Sequence, residues 1–322
     1  MSAAAPEARG MAPEVSAAAP QPAVAPEARG MAPEVRAALV DLLCQLADDE
    51  LTMGHRDSQW LGLAPDVEED VAFSSIAQDE VGHAVYFFEA LRQLGEDHPD
   101  ALAFDRPPAA RRNALLVERS NSDWAYTVLR HFVYDAWDAV RLRALTASRV
   151  PALAQGAVRM LREERYHLLH METWVRALGQ AGGEALDRLT AAVRAVWPDL
   201  GDLFDLGAHA DTLLSAGVLP QPADALVRAW VAEVRPVFEA SGIPWPGLPD
   251  PAPASTEVVV PGGAVVPGGA VVPGTGVVPD GVVVSGGRPV VFGGRRGVHT
   301  EALDELLGEM TQVSGPHPSA RW

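Results

Sequence analysis

Two Glu-x-x-His pairs dominate the chemistry available to this 322-residue chain: Glu80 with His83 in QDEVGHAVYFF, and Glu164 with His167 in REERYHLLHME. Side chains three residues apart on a helix share a face, so each pair can offer one oxygen and one nitrogen to a single ion. One such pair arises easily by chance in an acidic helical protein. The neighbours of these two set them apart. Glu80 has Phe73, Ile76, Ala77, Ala84 and Phe87 at offsets −7, −4, −3, +4 and +7, and Glu164 has Ala157, Met160, Leu161, Leu168 and Met171 at the same offsets. Each glutamate therefore lies on the apolar stripe of its helix. An ionised carboxylate buried there is costly unless a proton, an arginine or a metal compensates it.

Two more carboxylates repeat the pattern. Glu50 lies 30 residues before Glu80, among Leu43, Leu46, Ala47, Met53 and Gly54, and Asp135 lies 29 residues before Glu164, among Val128, Phe132, Ala139 and Leu142. In ferritin-like di-iron bundles each Glu-x-x-His helix is paired with a preceding helix that donates one further carboxylate. Glu50, Glu80, His83, Asp135, Glu164 and His167 are thus the candidate metal ligands. Four carboxylates and two imidazoles suit a pair of iron or manganese ions better than zinc. Asp79 and Glu163 stand where each can accept the second ring N–H of the opposite histidine and fix its tautomer. His55, Asp57, His131, Asp138 and His170 are second choices, and Asp138 is the main rival of Asp135. Arg141 and Arg143, and Arg106 with Arg111 and Arg112, are expected on solvated faces rather than in a site for an anionic ligand.

The elements that must position these residues follow from the same periodicity. Ala37, Leu39, Val40, Leu43, Leu46, Ala47 and Met53 recur at three and four. The stretches Glu68 to Leu94, Asp123 to Ala147, Ala152 to Leu178, Ala185 to Phe204 and Ala223 to Ala240 do the same. Short breaks at Gly62 to Pro65 and Gly179 to Gly183 predict an all-α, ferritin-like antiparallel bundle over residues 35–249. Ahead of it, APEARGMAPEV occurs twice, at Ala5 to Val15 and Ala25 to Val35, and its prolines predict a disordered extension over 1–34. Residues 250–294 repeat VVPGGA with drift and are expected to form a low-complexity loop. Thr300 is placed to cap a last helix, within 295–312, whose Leu303, Leu306, Leu307 and Met310 form a docking stripe before a tail at 313–322.

Composition narrows the chemistry further. There are 43 acidic against 25 basic residues, a net charge of −18, which argues against nucleic acid or an anionic membrane as a partner. Every basic residue is Arg, so a Walker-type phosphate loop, a Schiff-base lysine and pyridoxal-phosphate chemistry are excluded. Cys44 is the single cysteine, which excludes an intrachain disulfide framework, a cysteine-rich zinc site and a self-contained iron–sulfur cluster. The sequence has neither an apolar run long enough to span a bilayer nor a secretory signal, and a cytoplasmic protein is expected.

Four segments carry a resemblance: LADDELTMGHRDSQWLG (46–62), LLVERSNSDWAYTVLRHFVYDAW (115–137), REERYHLLHMETWV (162–175) and RRGVHTEALDELLGEM (295–310). They resemble the C-type subunits of the phenylacetyl-CoA 1,2-epoxidase complex of bacterial phenylacetate degradation, over about 36–240 and 295–312. The resemblance implies a bundle that pairs with a homologous catalytic A-type subunit inside a multicomponent monooxygenase. Further epoxidase subunits, a separate electron-supplying reductase and phenylacetyl-CoA as substrate are implied with it. In that family the C-type subunit is commonly structural, with a degenerate metal site, and the di-iron ligands belong to its A-type partner. Here all six candidate ligands are present, and QDEVGHAVYFF looks more like the helix of the A type. Three roles stay open: a subunit of a ring-epoxidising oxidoreductase that keeps its own carboxylate-bridged metal pair, a non-catalytic scaffold for the A-type partner with no metal, and a stand-alone ferritin-like oxidase.

Overall fold

A computed structural model describes residues 30–249, 275–278, 282–285, 288–291, 293–313 and 315–316. The first long helix, α1 (Pro33–Ser58), opens with proline in its first turn, where the missing N–H costs nothing. It packs along α2 (Val67–Gln93), whose N-terminus is capped by Asp66 accepting from the Glu69 amide at 2.9 Å. A one-turn helix, α3 (Leu115–Glu118), leads to α4 (Trp124–Leu145), capped in the same way by Asp123 on the Tyr126 amide. Next, α5 (Pro151–Ala181) packs along α4, and α6 (Gly183–Val196) lies across both. Short links between long, mutually packed helices give the all-α antiparallel bundle that the periodicity predicts.

The expected helix from Ala185 to Phe204 is interrupted. It ends at Val196, passes through a 3₁₀ turn at Trp197–Asp199 and resumes as α7 (Leu200–Leu203), because Pro198 has no N–H for the helical ladder. A short α8 (Ala210–Ser215) was not legible in the sequence, whereas α9 (Ala223–Ala240) has the predicted bounds. Trp230 of α9 is fully buried, donates to the Val133 carbonyl at 2.9 Å and packs against Trp197, Phe204 and Trp245. Contacts of this kind fasten α9 to the back of α4.

In the Val-rich segment expected as a loop, the described residues form a small antiparallel meander, β1 (Thr275–Val278), β2 (Val282–Ser285) and β3 (Arg288–Val291), paired in chain order. Paired β-branched residues favour extended backbone even in a repetitive stretch. Of the extension expected over 1–34, residues 1–29 lie outside the described residues, as do the VVPGGA repeats at 250–274, whereas Pro33 and Glu34 already belong to α1. The last helix is α10 (Glu301–Met310); of its predicted stripe, Leu303 and Leu306 are fully buried, and Leu307 and Met310 are half-buried. Thr300 occupies its N-cap position, but its hydroxyl is taken by Glu118 at 2.8 Å rather than by the helix.

Candidate metal centre

Each of the four long helices brings its candidate ligands to one buried layer. Glu50 comes from α1, Glu80 and His83 from α2, Asp135 from α4, and Glu164 and His167 from α5, all at most 3% exposed. Gly54 makes the α1–α2 approach possible, since a Cβ there would lie 3.0 Å from both the Ala77 carbonyl and the Glu80 Cβ. Glu50, Glu80, His83 and Glu164 offer ligand atoms that all lie within 4.8 Å of one another. His83 Nδ1 is 3.5 Å from Glu50 Oε2 and 3.3 Å from Glu164 Oε1. His167 Nδ1 is 3.3 Å from Glu80 Oε1 and 3.4 Å from the same Glu164 oxygen. Glu164 thus stands between the two imidazoles, whose ring centres are 6.5 Å apart.

The outer faces of both rings are held as the spacing suggested. His83 Nε2 pairs with Glu163 at 2.8 Å and His167 Nε2 with Asp79 at 3.3 Å, so each Nδ1 points inward as a potential metal ligand. Asp79 and Glu163 line a surface groove between α2 and α5 that also reaches His167. Asp135 joins a second group of possible ligands with Glu80 and His131, again within 4.8 Å, which gives Glu80 a place in both groups. Its Oδ1 is bound to His131 at 2.6 Å, and His131 is bound on its other side to Asp57 at 2.9 Å. The rival Asp138 has one oxygen on Arg141 at 2.7 Å. Asp135 and Asp138 therefore each keep one buried oxygen without a hydrogen bond.

Those unpartnered atoms test whether the residues fit a metal. Glu50 Oε2, both oxygens of Glu80 and Glu164, and Nδ1 of both histidines are buried without a hydrogen bond. Orphaned polar atoms are rare in protein interiors, and here Glu50, Glu80, His83 and Glu164 bring ligand atoms within 4.8 Å of one another, with His167 beside Glu80 and Glu164, an oxygen-rich, imidazole-containing donor set. The cluster can hold a metal ion. Without one, protons supply the compensating charge. Burial pushes the Glu80 carboxyl well above its ordinary range, and Glu50 and Glu164 push it further. Burial opposes charge on His83, but the hydrogen bond to Glu163 and the carboxylates of Glu164 and Glu50 beside its ring hold it well above the usual imidazole range. His167 is raised against its own burial by Glu164 and Asp79, whereas Glu164 is held low against burial by the two imidazoles. Asp135 is pushed up to about 6 by burial, partly offset by His131, which Asp135 and Asp57 raise to about 10 against its burial.

Comparison with known proteins places the chain in a family. The family model described as phenylacetic acid catabolic protein matches residues 13–254. The chain belongs to this family. It is 29% identical over 279 residues to the C-type subunit of the 1,2-phenylacetyl-CoA epoxidase of Escherichia coli (strain K12), across 86% of this chain and 96% of that protein. Among the described residues, no helix of this family member is long and apolar enough to cross a membrane.

The remaining candidates have other duties. His170 pairs with Glu69 at 2.8 Å, and His55 lies 3.8 Å from Glu309 near the surface. Arg106 pairs with Asp48, Arg112 with Asp41 and Arg143 with Glu233, so these arginines serve the chain's own carboxylates, and buried Arg111 donates to the Ala103 carbonyl. Arg106, Arg111 and Arg141 are not on a solvated face, since each is largely or fully buried at its partner. Sequence reasoning missed Tyr134, whose hydroxyl donates to Glu50 Oε1 at 3.2 Å and whose type and position carried no signal apart from the core.

Proposed function

We propose that this chain is a subunit of a phenylacetyl-CoA epoxidase-type monooxygenase that keeps a dinuclear, carboxylate-bridged metal site of its own. The observation that carries the proposal is the convergence of unpartnered buried oxygens and imidazole nitrogens from four helices. Glu50, Glu80, His83, Asp135, Glu164 and His167 would hold the ions. Bound iron would supply activation of O2 and transfer of an oxygen atom to the aromatic ring of the acyl-CoA; manganese fits the same donors. The chain's own residues do the rest. Asp79 and Glu163 fix the imidazoles with Nδ1 inward. Tyr134 restrains Glu50, and the apolar stripe around Glu80 and Glu164, including Phe73, Phe87, Met160 and Met171, keeps water from the layer.

On this proposal the chain works in the cytoplasm beside a homologous A-type partner and draws electrons from a separate reductase. Exposed apolar side chains on α2 and α5, among them Val71, Val85, Tyr166 and Leu169, favour a partner on that side. The same exposure favours the second reading, a scaffold that carries no metal. Anaerobic and aerobic reconstitution with Fe(II) or Mn(II), followed by metal analysis, separates the two. Stoichiometric metal in the wild type, lost in Glu80→Ala and Glu164→Ala, supports the metal-bearing reading. A wild type that takes up neither ion leaves the scaffold.

A further inference from the structure

The turn that precedes α10 reaches the wall of the metal centre. Gly294–Arg296 forms a 3₁₀ turn closed by the Gly293 amide on the Val298 carbonyl at 2.9 Å. It seats so tightly on the chain before α3 that a Cβ at Gly294 would lie 2.1 Å from the Asn113 carbonyl oxygen. From this turn the fully buried Arg295 side chain grips Asp49 with both Nη atoms at 2.8 Å, and one of them also donates to the Arg112 carbonyl at 2.8 Å. Asp49 in turn accepts from Arg141 at 3.1 Å and from the Ala114 amide at 2.8 Å. Arg141 then holds Asp138 at 2.7 Å. Asp49 is the residue before Glu50, and the second oxygen of Asp138 is buried without a hydrogen bond.

We infer that Arg295 is a positioning residue for the metal centre, acting through the Asp49–Arg141–Asp138 chain from a segment 246 residues away in sequence. Two guanidinium groups and two carboxylates alternate along this chain, and all four are at most 2% exposed. Two-point contact fixes direction as well as distance, and so sets how far α1 turns at residue 49 and where Glu50 points. Without Arg295, Asp49 and Asp138 must share the single guanidinium of Arg141. One buried carboxylate is then left uncompensated, and Arg141 is free to leave Asp138 for Asp49. The walls carrying Glu50 and Asp138 lose their fixed spacing. Groups that only orient metal ligands typically change metal affinity by about 10–100-fold when removed.

This inference rests on the metal-bearing reading, and its test keeps the two apart. Fe(II) and, as a spectroscopic probe, Co(II) are titrated anaerobically into the full-length wild type, Arg295→Ala and Arg295→Lys, with the melting temperature of each metal-free chain measured alongside. The expected result is a loss of affinity on the order of 10–100-fold in Arg295→Ala, with an altered Co(II) ligand-field spectrum. Arg295→Lys restores the charge but offers one point of contact, so it should fold and still bind several-fold more weakly than wild type. A purely structural role would lower the melting temperature and leave affinity and spectrum unchanged in whichever variant folds. Wild-type affinity in folded Arg295→Lys, or in folded Arg295→Ala, overturns the inference while the metal reading stands. A wild type that binds neither ion overturns both.

Discussion

Replacing Glu80 by glutamine should move metal binding and metal-free stability in opposite directions. The Glu80 carboxyl is fully buried, both its oxygens lack hydrogen bonds, and burial with Glu50 and Glu164 beside it raises its pKa well above the unfolded value of 4.5. The metal-free fold therefore keeps a proton on Glu80 that the unfolded chain gives up. The sign follows from linkage. A native pKa above the unfolded one contributes its full stability only below pH 4.5 and loses it as pH rises, at about 1.4 kcal/mol per unit. At pH 7 the wild type then bears a cost of up to about 3 kcal/mol that Glu80→Gln, isosteric with the protonated acid, does not bear. The new amide can also donate to the neighbouring carboxylates. Metal-free Glu80→Gln should accordingly melt roughly 2–12 °C above the wild type at pH 7, with the gap closing towards pH 4.5. Stoichiometric metal should be lost, because an amide is a poor substitute for a bridging carboxylate. Calorimetry of both metal-free proteins across this pH range, with metal analysis, is the assay. A variant that melts lower than wild type at pH 7, or that retains stoichiometric metal, refutes the reasoning.

Three further outcomes follow from the same structure. Since His83 and His167 hold protons well above the ordinary imidazole range and must release them to ligate, metal affinity should rise with pH through neutrality. Titration calorimetry in buffers of different ionisation enthalpy should register the released protons, and a pH-independent affinity would count against inward-facing Nδ1 atoms. His131→Leu leaves Asp57 and Asp135 buried without their shared partner and should cost about 3–5 kcal/mol by urea unfolding; a loss below about 1 kcal/mol would show that the bridge is dispensable. Leu306→Ala removes a fully buried side chain from α10 and should cost about 2–5 kcal/mol, whereas an unchanged melt would mean that the helix does not dock.

The buried carboxylates were legible because a carboxylate on an apolar stripe violates the pattern around it. Glu50, Glu80, Asp135 and Glu164 each break an i±3, i±4, i±7 series of apolar residues, and that violation survives in sequence alone. The outer partners were legible for a related reason, since Asp79 and Glu163 directly precede the two glutamates and so point away from the layer. What was hidden is long-range and polar. Nothing local distinguishes Arg141, whose guanidinium is fully buried, from Arg143, which makes an exposed pair with Glu233, although the two are close neighbours in the same helix. The break at Pro198 was visible as a residue but was outweighed by the apolar period on both sides of it.

The asymmetry between the two third-helix carboxylates bears on how the site works. Asp135 has its bonded oxygen on a histidine that is itself held by Asp57, while Asp138 has its bonded oxygen on an arginine shared with Asp49. A guanidinium never releases its proton, so the bonded oxygen of Asp138 stays tied to a permanent cation, whereas the His131 imidazole can give up a proton when a bound metal supplies the positive charge. Asp135 also lies within ligand distance of Glu80, a grouping that does not include Asp138. Both facts favour Asp135 as the ligand and leave Asp138 as part of the charged wall that Arg295 holds in place. The four helices therefore contribute differently: α2 and α5 supply the Glu-x-x-His pairs, whereas α1 and α4 supply single carboxylates, Glu50 and Asp135, whose placement depends on buried arginine and histidine braces. It is in those braces, rather than in the paired motifs, that a metal-bearing member of this family and a purely structural one should diverge.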